Sequence, residues 1–372
     1  MVGSASALGL AKLGFSIALI ENNMPEPFDP AQPPDLRVSA ISIASEGLLT
    51  KLGAWQHINA MRLCPYRRLS VWEKPHCRTD FNCADIHASH IGNIVENRLI
   101  QLGLHQALQA YPSVTWFSAM KVSRITGGNS PLVELADGQT IASKILIGAD
   151  GAQSQVRQAV NIGNQGWNYA QQALGVQIKT SEPQQDITWQ QFTPTGPVAF
   201  LPLYEGYGSL VWYNEVEKIR YLKTLSRQKL KEQIIQHFPQ DLMDFEVQQV
   251  ASFPITRMHA NQYVKDKVVL IGDAAHTINP LAGQGVNLGF KDVAALLDGF
   301  SQKQAMDKQD ILRVYETARR RDNLLMMSAM DAIYGAFSNK RAPLRLLRNL
   351  GLKLANNSGP IKQRVMKYAM GL

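Results

Sequence analysis

The stretch GDAAHTINPLAGQGVNLGFKDVAALLDGF, residues 272–300, decides the fold. It follows the apolar run VVLI (268–271), which reads as a buried strand. Asp273 falls at the end of that strand, where an unpaired charge is costly, so its carboxylate calls for a polyol-like partner. Pro280 shapes the loop that follows. Gly283, Gln284 and Gly285 then open a long helix at Val286, whose free N–H groups and positive dipole end face whatever lies beyond the strand ends. Small residues there let a flat ring approach the backbone closely.

Outward from this stretch, the chain begins MVGSASALGLAKLGFSIALIENN, residues 1–23. Residues 4–13 carry helical spacing and Gly14 ends the helix. Ser16 to Ile20 is a short strand, and Glu21 follows it. Gly3 suits the third glycine of a G-x-G-x-x-G dinucleotide fingerprint, the one that lets helix pack on strand. Glu21 falls where an acid binds a ribose hydroxyl pair. The first strand and the first two glycines of such a motif would precede Met1. The expectation is therefore a sheet lacking a central strand and weakened dinucleotide binding by the chain as written.

Other elements follow from pattern. MPEPFDPAQPPD (24–35) is a Pro-rich loop. Ala44 to Leu52 is a helix stopped by Gly53, and Asn97 to Ala110 is another. VELADGQTIASKILIGAD (133–150) is a hairpin, turning at Asp137-Gly138, that feeds a buried strand. From about 170 to 260 the chain is rich in β-branched and aromatic residues and reads as antiparallel strands, with LSRQKLKEQIIQHF (225–238) as a helical interruption. From Gly285 the pattern is helical to the end, broken near Pro343 and Gly359-Pro360. We expect an α/β protein. Its discontinuous nucleotide-binding domain comprises 1–60, 95–165 and 262–330, with a substrate domain from 61–94 and 166–261 and a basic helical arm at 331–372.

The 372 residues carry 38 basic and 30 acidic side chains, a net charge of +8. Eight basic residues follow Asp331 with no acid among them. The body is thus neutral and the arm basic, which argues against a polyanion-binding surface and against nucleic acid as a partner. Leu344, Leu347, Leu350 and Leu354 make one helical stripe beside Arg341, Arg345 and Arg348. Ile361, Val365 and Leu372 repeat the trend. A basic amphipathic segment of this kind docks on an anionic membrane or a protein, or packs its leucines on the body. Cys64, Cys77 and Cys83 lack metal-ligand spacing and fit a reducing compartment, so no metal is expected.

GDAAHTINPLAGQGVNLGF resembles the second FAD motif of the aromatic-ring flavoprotein monooxygenases, which share the para-hydroxybenzoate hydroxylase fold. GADGAQSQVRQ, residues 148–158, is similar to their middle motif through Gly148, Asp150, Gly151, Ser154 and Arg157. RVSAIS, residues 37–42, resembles the segment whose arginine, here Arg37, contacts FAD. Within the family the chain is most similar to the ubiquinone-biosynthesis hydroxylases, in the branch acting on the demethoxy intermediate. That similarity rests on SAISIASEGLLTKLG, MRLCPYRRL, WQQFTPTGP, SLVWYN and AFSNKRAPLRLLRNLGLKLA, and covers essentially the whole chain.

The resemblance implies a Rossmann-type FAD-binding domain with an inserted antiparallel-sheet substrate domain. Its cofactor contacts would be Gly3, Glu21, Arg37, Asn97, Asp150, Gly151, Asp273, Pro280, Gly283, Gln284, Gly285 and Asn287. It implies hydroxylation of a prenylated benzoquinol through a flavin C4a-hydroperoxide, with O2 and with NAD(P)H or another reductant. A helix N-terminus would favour the negative pyrimidine edge of reduced flavin. No side-chain nucleophile is required. Pro280 would frame the flavin. His276 either relays a proton or holds a turn. Phe200, Leu203, Trp212 and Tyr213 are candidates to wall the substrate, or else plain core. A cytoplasmic protein is expected, with docking on the inner membrane and membership of a ubiquinone-biosynthesis complex as implied partners. The alternatives are a same-fold hydroxylase of another aromatic and a non-catalytic scaffold subunit.

Overall fold

A computed structural model describes residues 1–239, 242, 244–279, 285–301, 308–338, 348–349, 351–353, 356 and 359–371. The chain starts with α1 (Val2–Lys12), β1 (Ile17–Glu21), β2 (Val38–Ser42), α2 (Ile43–Leu52) and α3 (Trp55–Met61). Strands β3 (Cys64–Tyr66), β4 (Arg68–Trp72), β5 (Thr79–Asn82) and β6 (Gly92–Glu96) lead to α4 (Asn97–Leu108). Then come β7 (Val114–Ser118), β8 (Val122–Thr126), β9 (Leu132–Leu135), β10 (Thr140–Ala142), β11 (Leu146–Gly148) and α5 (Gln155–Ala159). The middle holds β12 (Asn164–Thr180), β13 (Ile187–Gln191), β14 (Val198–Pro202), β15 (Tyr207–Glu215), α6 (Val216–Thr224), α7 (Arg227–His237) and β16 (Phe245–Ala260). The last elements are β17 (Val264–Lys265), β18 (Val268–Leu270), β19 (His276–Thr277), α8 (Gly285–Ser301), α9 (Lys308–Ser338) and α10 (Pro360–Met370).

The parallel layer comes as two pieces. β1 pairs with β7, and β11 pairs with β18 in a sheet whose edge is β17; the two pieces share no ladder. One continuous apolar core joins them, with Ala5 and Leu8 of α1, Leu99 and Leu104 of α4, β18, and Val293 and Leu296 of α8 all buried. Close approach of α1 to α8 is written in two glycines. A Cβ on Gly9 would lie 2.3 Å from Leu297 Cδ1, and one on Gly289 would lie 2.6 Å from Val2 Cγ2.

The second layer is one eight-stranded sheet in the order β19-β16-β12-β15-β14-β13-β4-β5. β12 runs antiparallel to both β15 and β16 over most of its length. One pairing departs from the antiparallel expectation: β13 runs parallel to β4, with Trp189 opposite Ser70. The sequence reading also missed α6, which with α7 buries Ile219, Leu222, Leu230 and Ile234 against one face of the sheet. The leucine stripe of the arm (Leu344, Leu347, Leu350, Leu354) and Leu372 lie outside the described residues, and the side chains of Ile361 and Val365 are likewise not described. What is described packs on the body. Met366 and Met370 are buried with Cys64, Tyr66 and Ile94, and Arg348 Nη2 reaches Glu73 Oε1 at 2.5 Å. For Met366, Met370 and Arg348, packing on the body is the alternative that the structure bears out.

Candidate cofactor and substrate site

The site forms at the carboxyl ends of β1, β11 and β18, where doubly wound sheets place their ligands. β18 is fully buried. The chain leaves it through Gly272, whose φ of +58° is a left-handed conformation that a side chain would strain. The Gly272 N–H donates to Asp292 Oδ2 at 3.0 Å, and a single 3-10 turn over Gly272–Ala274 carries Asp273. The Asp273 side chain reaches solvent, yet protein closes around it. That enclosure raises its pKa above the usual carboxylate range, with His276 and Arg37 opposing.

The GADG loop is tied to the same turn. Arg157 Nη1 donates to the Ala274 carbonyl at 2.7 Å and Nη2 to that of Ala152 at 2.8 Å. Ser154 caps α5 by accepting from the Arg157 N–H at 2.9 Å, and its hydroxyl donates to Asp150 Oδ1 at 2.5 Å. The other Asp150 oxygen accepts from the Val156 N–H at 3.1 Å, so this carboxylate shapes its own loop while remaining exposed. Among the described residues beyond its chain neighbours, none has an atom within 4 Å of where a Cβ on Gly151, at φ +81°, would sit, and the same holds for Gly285 at the start of α8. Both leave backbone open to a ligand.

On the other side, a Cβ on Gly3 would stand 3.1 Å from the Ala149 Cβ, so α1 starts against the end of β11. Glu21 ends β1, where it accepts from the Asn23 N–H at 2.9 Å and from Gln101 Nε2 at 3.3 Å. Enclosure lowers the pKa of the Met1 amino group, and Glu21 opposes that shift. Arg37 is exposed, with its guanidinium 4.8 Å over the Phe253 ring. Its carbonyl accepts from the Asn97 N–H at 3.0 Å, and Asn97 Oδ1 accepts from Ser39 Oγ at 2.7 Å. Pro280, Gly283 and Gln284 lie outside the described residues.

Two side chains make hydrogen bonds within the protein. Asn287 Oδ1 accepts from the Ser42 N–H at 3.0 Å and from Ser45 Oγ at 2.8 Å, while its Nδ2 donates to the Ala40 carbonyl at 2.8 Å. Its amide ties α8 to β2 and α2. His276 Nε2 donates to Asp292 Oδ2 at 2.5 Å, and both side chains are buried. Of its two expected roles, the hydrogen bond that holds the turn is the one with geometry behind it.

The Asp292 cluster was missed. Arg319 Nε donates to Asp292 Oδ1 at 2.9 Å and Asn323 Nδ2 does so at 3.1 Å. Arg319 Nη2 donates to Asn323 Oδ1 at 2.7 Å, and the Tyr263 hydroxyl lies 3.0 Å from His259 Nε2. A signal existed: Leu288, Asp292 and Leu296 share one helical stripe, an acid among apolar neighbours, and all three are buried.

The substrate-wall candidates divide. Phe200 and Trp212 face α6 and α7 and are core, and Leu203 packs with Met366 and Met370. Tyr213, next to Trp212, necessarily points to the opposite face. There it is buried with Ala173 and Ile255, beside Tyr169. The Tyr169 hydroxyl donates to Asp331 Oδ1 at 2.6 Å, the Tyr169 and Tyr334 rings meet edge-on at 4.9 Å, and Arg257 Nε donates to Asp331 Oδ2 at 2.6 Å. This tyrosine-lined face, next to the 276–279 segment, was not read from sequence.

The family model described as FAD binding domain matches residues 1–328. The chain is 45% identical over 384 residues to the 3-demethoxyubiquinol 3-hydroxylase of Escherichia coli (strain K12), covering all of this chain and 96% of that one. It is 35% identical to the human ubiquinone biosynthesis monooxygenase COQ6, mitochondrial, covering 90% of this chain and 81% of that one. Among solved structures it superposes on p-nitrophenol 4-monooxygenase PnpA from Pseudomonas putida DLL-E4 with a TM-score of 0.80 at 16% identity, covering 99% and 95% of the two chains. Klebsiella pneumoniae HpxO complexed with FAD and uric acid gives 0.74 at 16%, covering 100% and 94%.

Proposed function

The chain belongs to the FAD-binding-domain family of flavoprotein monooxygenases, and on that premise we propose that it hydroxylates the one unsubstituted ring carbon of a prenylated methyl-methoxy-benzoquinol. It is an FAD-dependent hydroxylase of ubiquinone biosynthesis. Ring position and prenyl chain are the finer reading, supported by the 45% identity along the whole chain. The observation that supports the site is that Asp273, just past the carboxyl end of β18, lies within electrostatic reach of Arg37, while Gly3 stands against Ala149 past the end of β11.

The residues present fit FAD. Asp273, enclosed but reachable, would accept from a ribityl hydroxyl, and Glu21 from a ribose. Arg37 supplies positive charge for a pyrophosphate. Gly151 and Gly285 leave the backbone open. When bound, FAD supplies the two-electron activation of O2. One oxygen atom ends on the ring and the other as water, with NAD(P)H or another donor providing two electrons. The chain's own task is to orient the ring and exclude water. The quinol is the reactive form because its hydroxyls donate electrons into the ring.

A prenylated substrate lies in a bilayer. Lys353, Arg364 and Lys367 are exposed while Met366 and Met370 of α10 are buried, so an anionic membrane surface would be met by charge. To test the function, FAD-loaded protein receives NADH, ¹⁸O₂ and a short-chain methyl-methoxy-benzoquinol. A ring-hydroxylated product carrying one ¹⁸O is expected. Unchanged quinol with the electrons lost to peroxide would contradict the proposal.

A further inference from the structure

Asn279 is 1% exposed, and neither its Nδ2 nor its Oδ1 has a hydrogen-bond partner. Buried polar groups are almost always paired, and an orphaned one marks strain or a ligand. This orphan sits between the two halves of the site. It follows Asp273 and His276 along the chain, and its amide acts on the Tyr169 hydroxyl of β12 without a hydrogen bond of ordinary geometry. The Tyr169 proton is already committed to Asp331. Tyr213, Tyr334 and Arg257 complete the surroundings of Tyr169 on the same side of the sheet.

We propose that Asn279 is a substrate-binding residue whose unpaired amide receives a ring hydroxyl of the quinol, fixing the ring's orientation. The proposal rests on the quinol-hydroxylase reading. An amide offers a donor and an acceptor from one plane, and a quinol hydroxyl needs both. An oxidised quinone carbonyl only accepts, so the same amide would hold it by half the contacts. The tyrosines would flank the bound ring, and Asn279 would be the polar handle that orients it among apolar neighbours.

The test uses Asn279→Leu, close in size and unable to hydrogen-bond, with Asn279→Ala as a second variant. Removing an unpaired buried amide leaves the cofactor-free fold as stable or more so, whereas removing a structural one destabilises it. For Asn279→Leu we expect an unchanged or higher Tm without ligand and FAD affinity within twofold. Affinity for the short-chain quinol, read anaerobically from the flavin absorbance change, should fall about tenfold. The share of NADH oxidation released as peroxide should rise. A lower ligand-free Tm with quinol affinity unchanged would make Asn279 structural and overturn the proposal. A tenfold loss of FAD affinity with quinol affinity intact would reassign the amide to the cofactor and overturn it equally. If no product forms even in the unmutated protein while quinol affinity still falls in the variant, the function reading fails and the binding assignment stands.

Discussion

His276 Nε2 and Asp292 Oδ2 lie 2.5 Å apart with 1% and 0% of their side chains exposed, and the same carboxylate oxygen accepts from the Gly272 N–H. One buried acid thereby fixes the left-handed turn that carries Asp273. Its second oxygen holds Arg319, so α8, α9 and the end of β18 meet at a single side chain.

Asp292→Asn leaves Arg319 to the partly exposed Asp322, and breaking a buried pair in this way costs up to about 3–5 kcal/mol. Urea denaturation should show that loss at pH 7. Burial alone would raise the Asp292 pKa, but His276 and Arg319 outweigh it and hold the carboxyl below its usual range. The ion-pair contribution is therefore complete above the unfolded value of about 3.9 and is lost as pH falls through the lower folded value. The wild-type and variant stability curves should accordingly converge in acid. A constant gap down to the lowest pH at which the fold survives would contradict this.

Asp273 behaves in the opposite sense. Its folded pKa is raised, so its charge burdens the cofactor-free fold at neutral pH and the burden lifts as pH falls below the folded value. Asp273→Asn should leave the cofactor-free Tm unchanged or higher. Loss of a charge-assisted hydrogen bond, about 1.5–3 kcal/mol, should weaken FAD roughly ten- to over a hundredfold. Fluorescence titration with FAD reads this directly, and unchanged affinity would mean that the carboxylate does not meet the cofactor.

Much of this frame was legible in the sequence because it is local. Gly14, Gly53 and Gly138 end or turn their elements at φ of +83°, +86° and +88°, as their positions after periodic segments required. The G-A-D-G and G-D-A-A segments fell at strand ends for the same reason. Faces and networks were not local. Period two puts Trp212 and Tyr213 on opposite sides, but which side is core depends on α6 and α7. Asp292, Arg319 and Asn323 come together only through the packing of α8 on α9. Asn287 stands in the motif, but that its amide also ties α8 to β2 and α2 shows only in the fold.

Gly289→Ala should couple packing to cofactor binding. Its Cβ would meet Val2 at 2.6 Å and stand 3.5 Å from the Gly272 Cα. Overpacking of this kind costs about 1–3 kcal/mol and would push on both α1 and the Asp273 turn. Lower Tm and weaker FAD binding are expected together. Lower Tm with FAD affinity intact would uncouple them.

Arg364→Glu with Lys367→Glu should reduce sedimentation with anionic vesicles, since each exposed basic residue contributes about 1 kcal/mol near such a surface. Added salt should do the same, and neutral vesicles should bind little. Binding insensitive to lipid charge and to salt would exclude the electrostatic mode.

The central claim is tested most directly in cells blocked at each ring hydroxylation of ubiquinone biosynthesis in turn, expressing this protein, with quinones analysed by mass spectrometry. The account predicts rescue of the final, demethoxy-accumulating block alone. Rescue only of an earlier block, or of none, would contradict it.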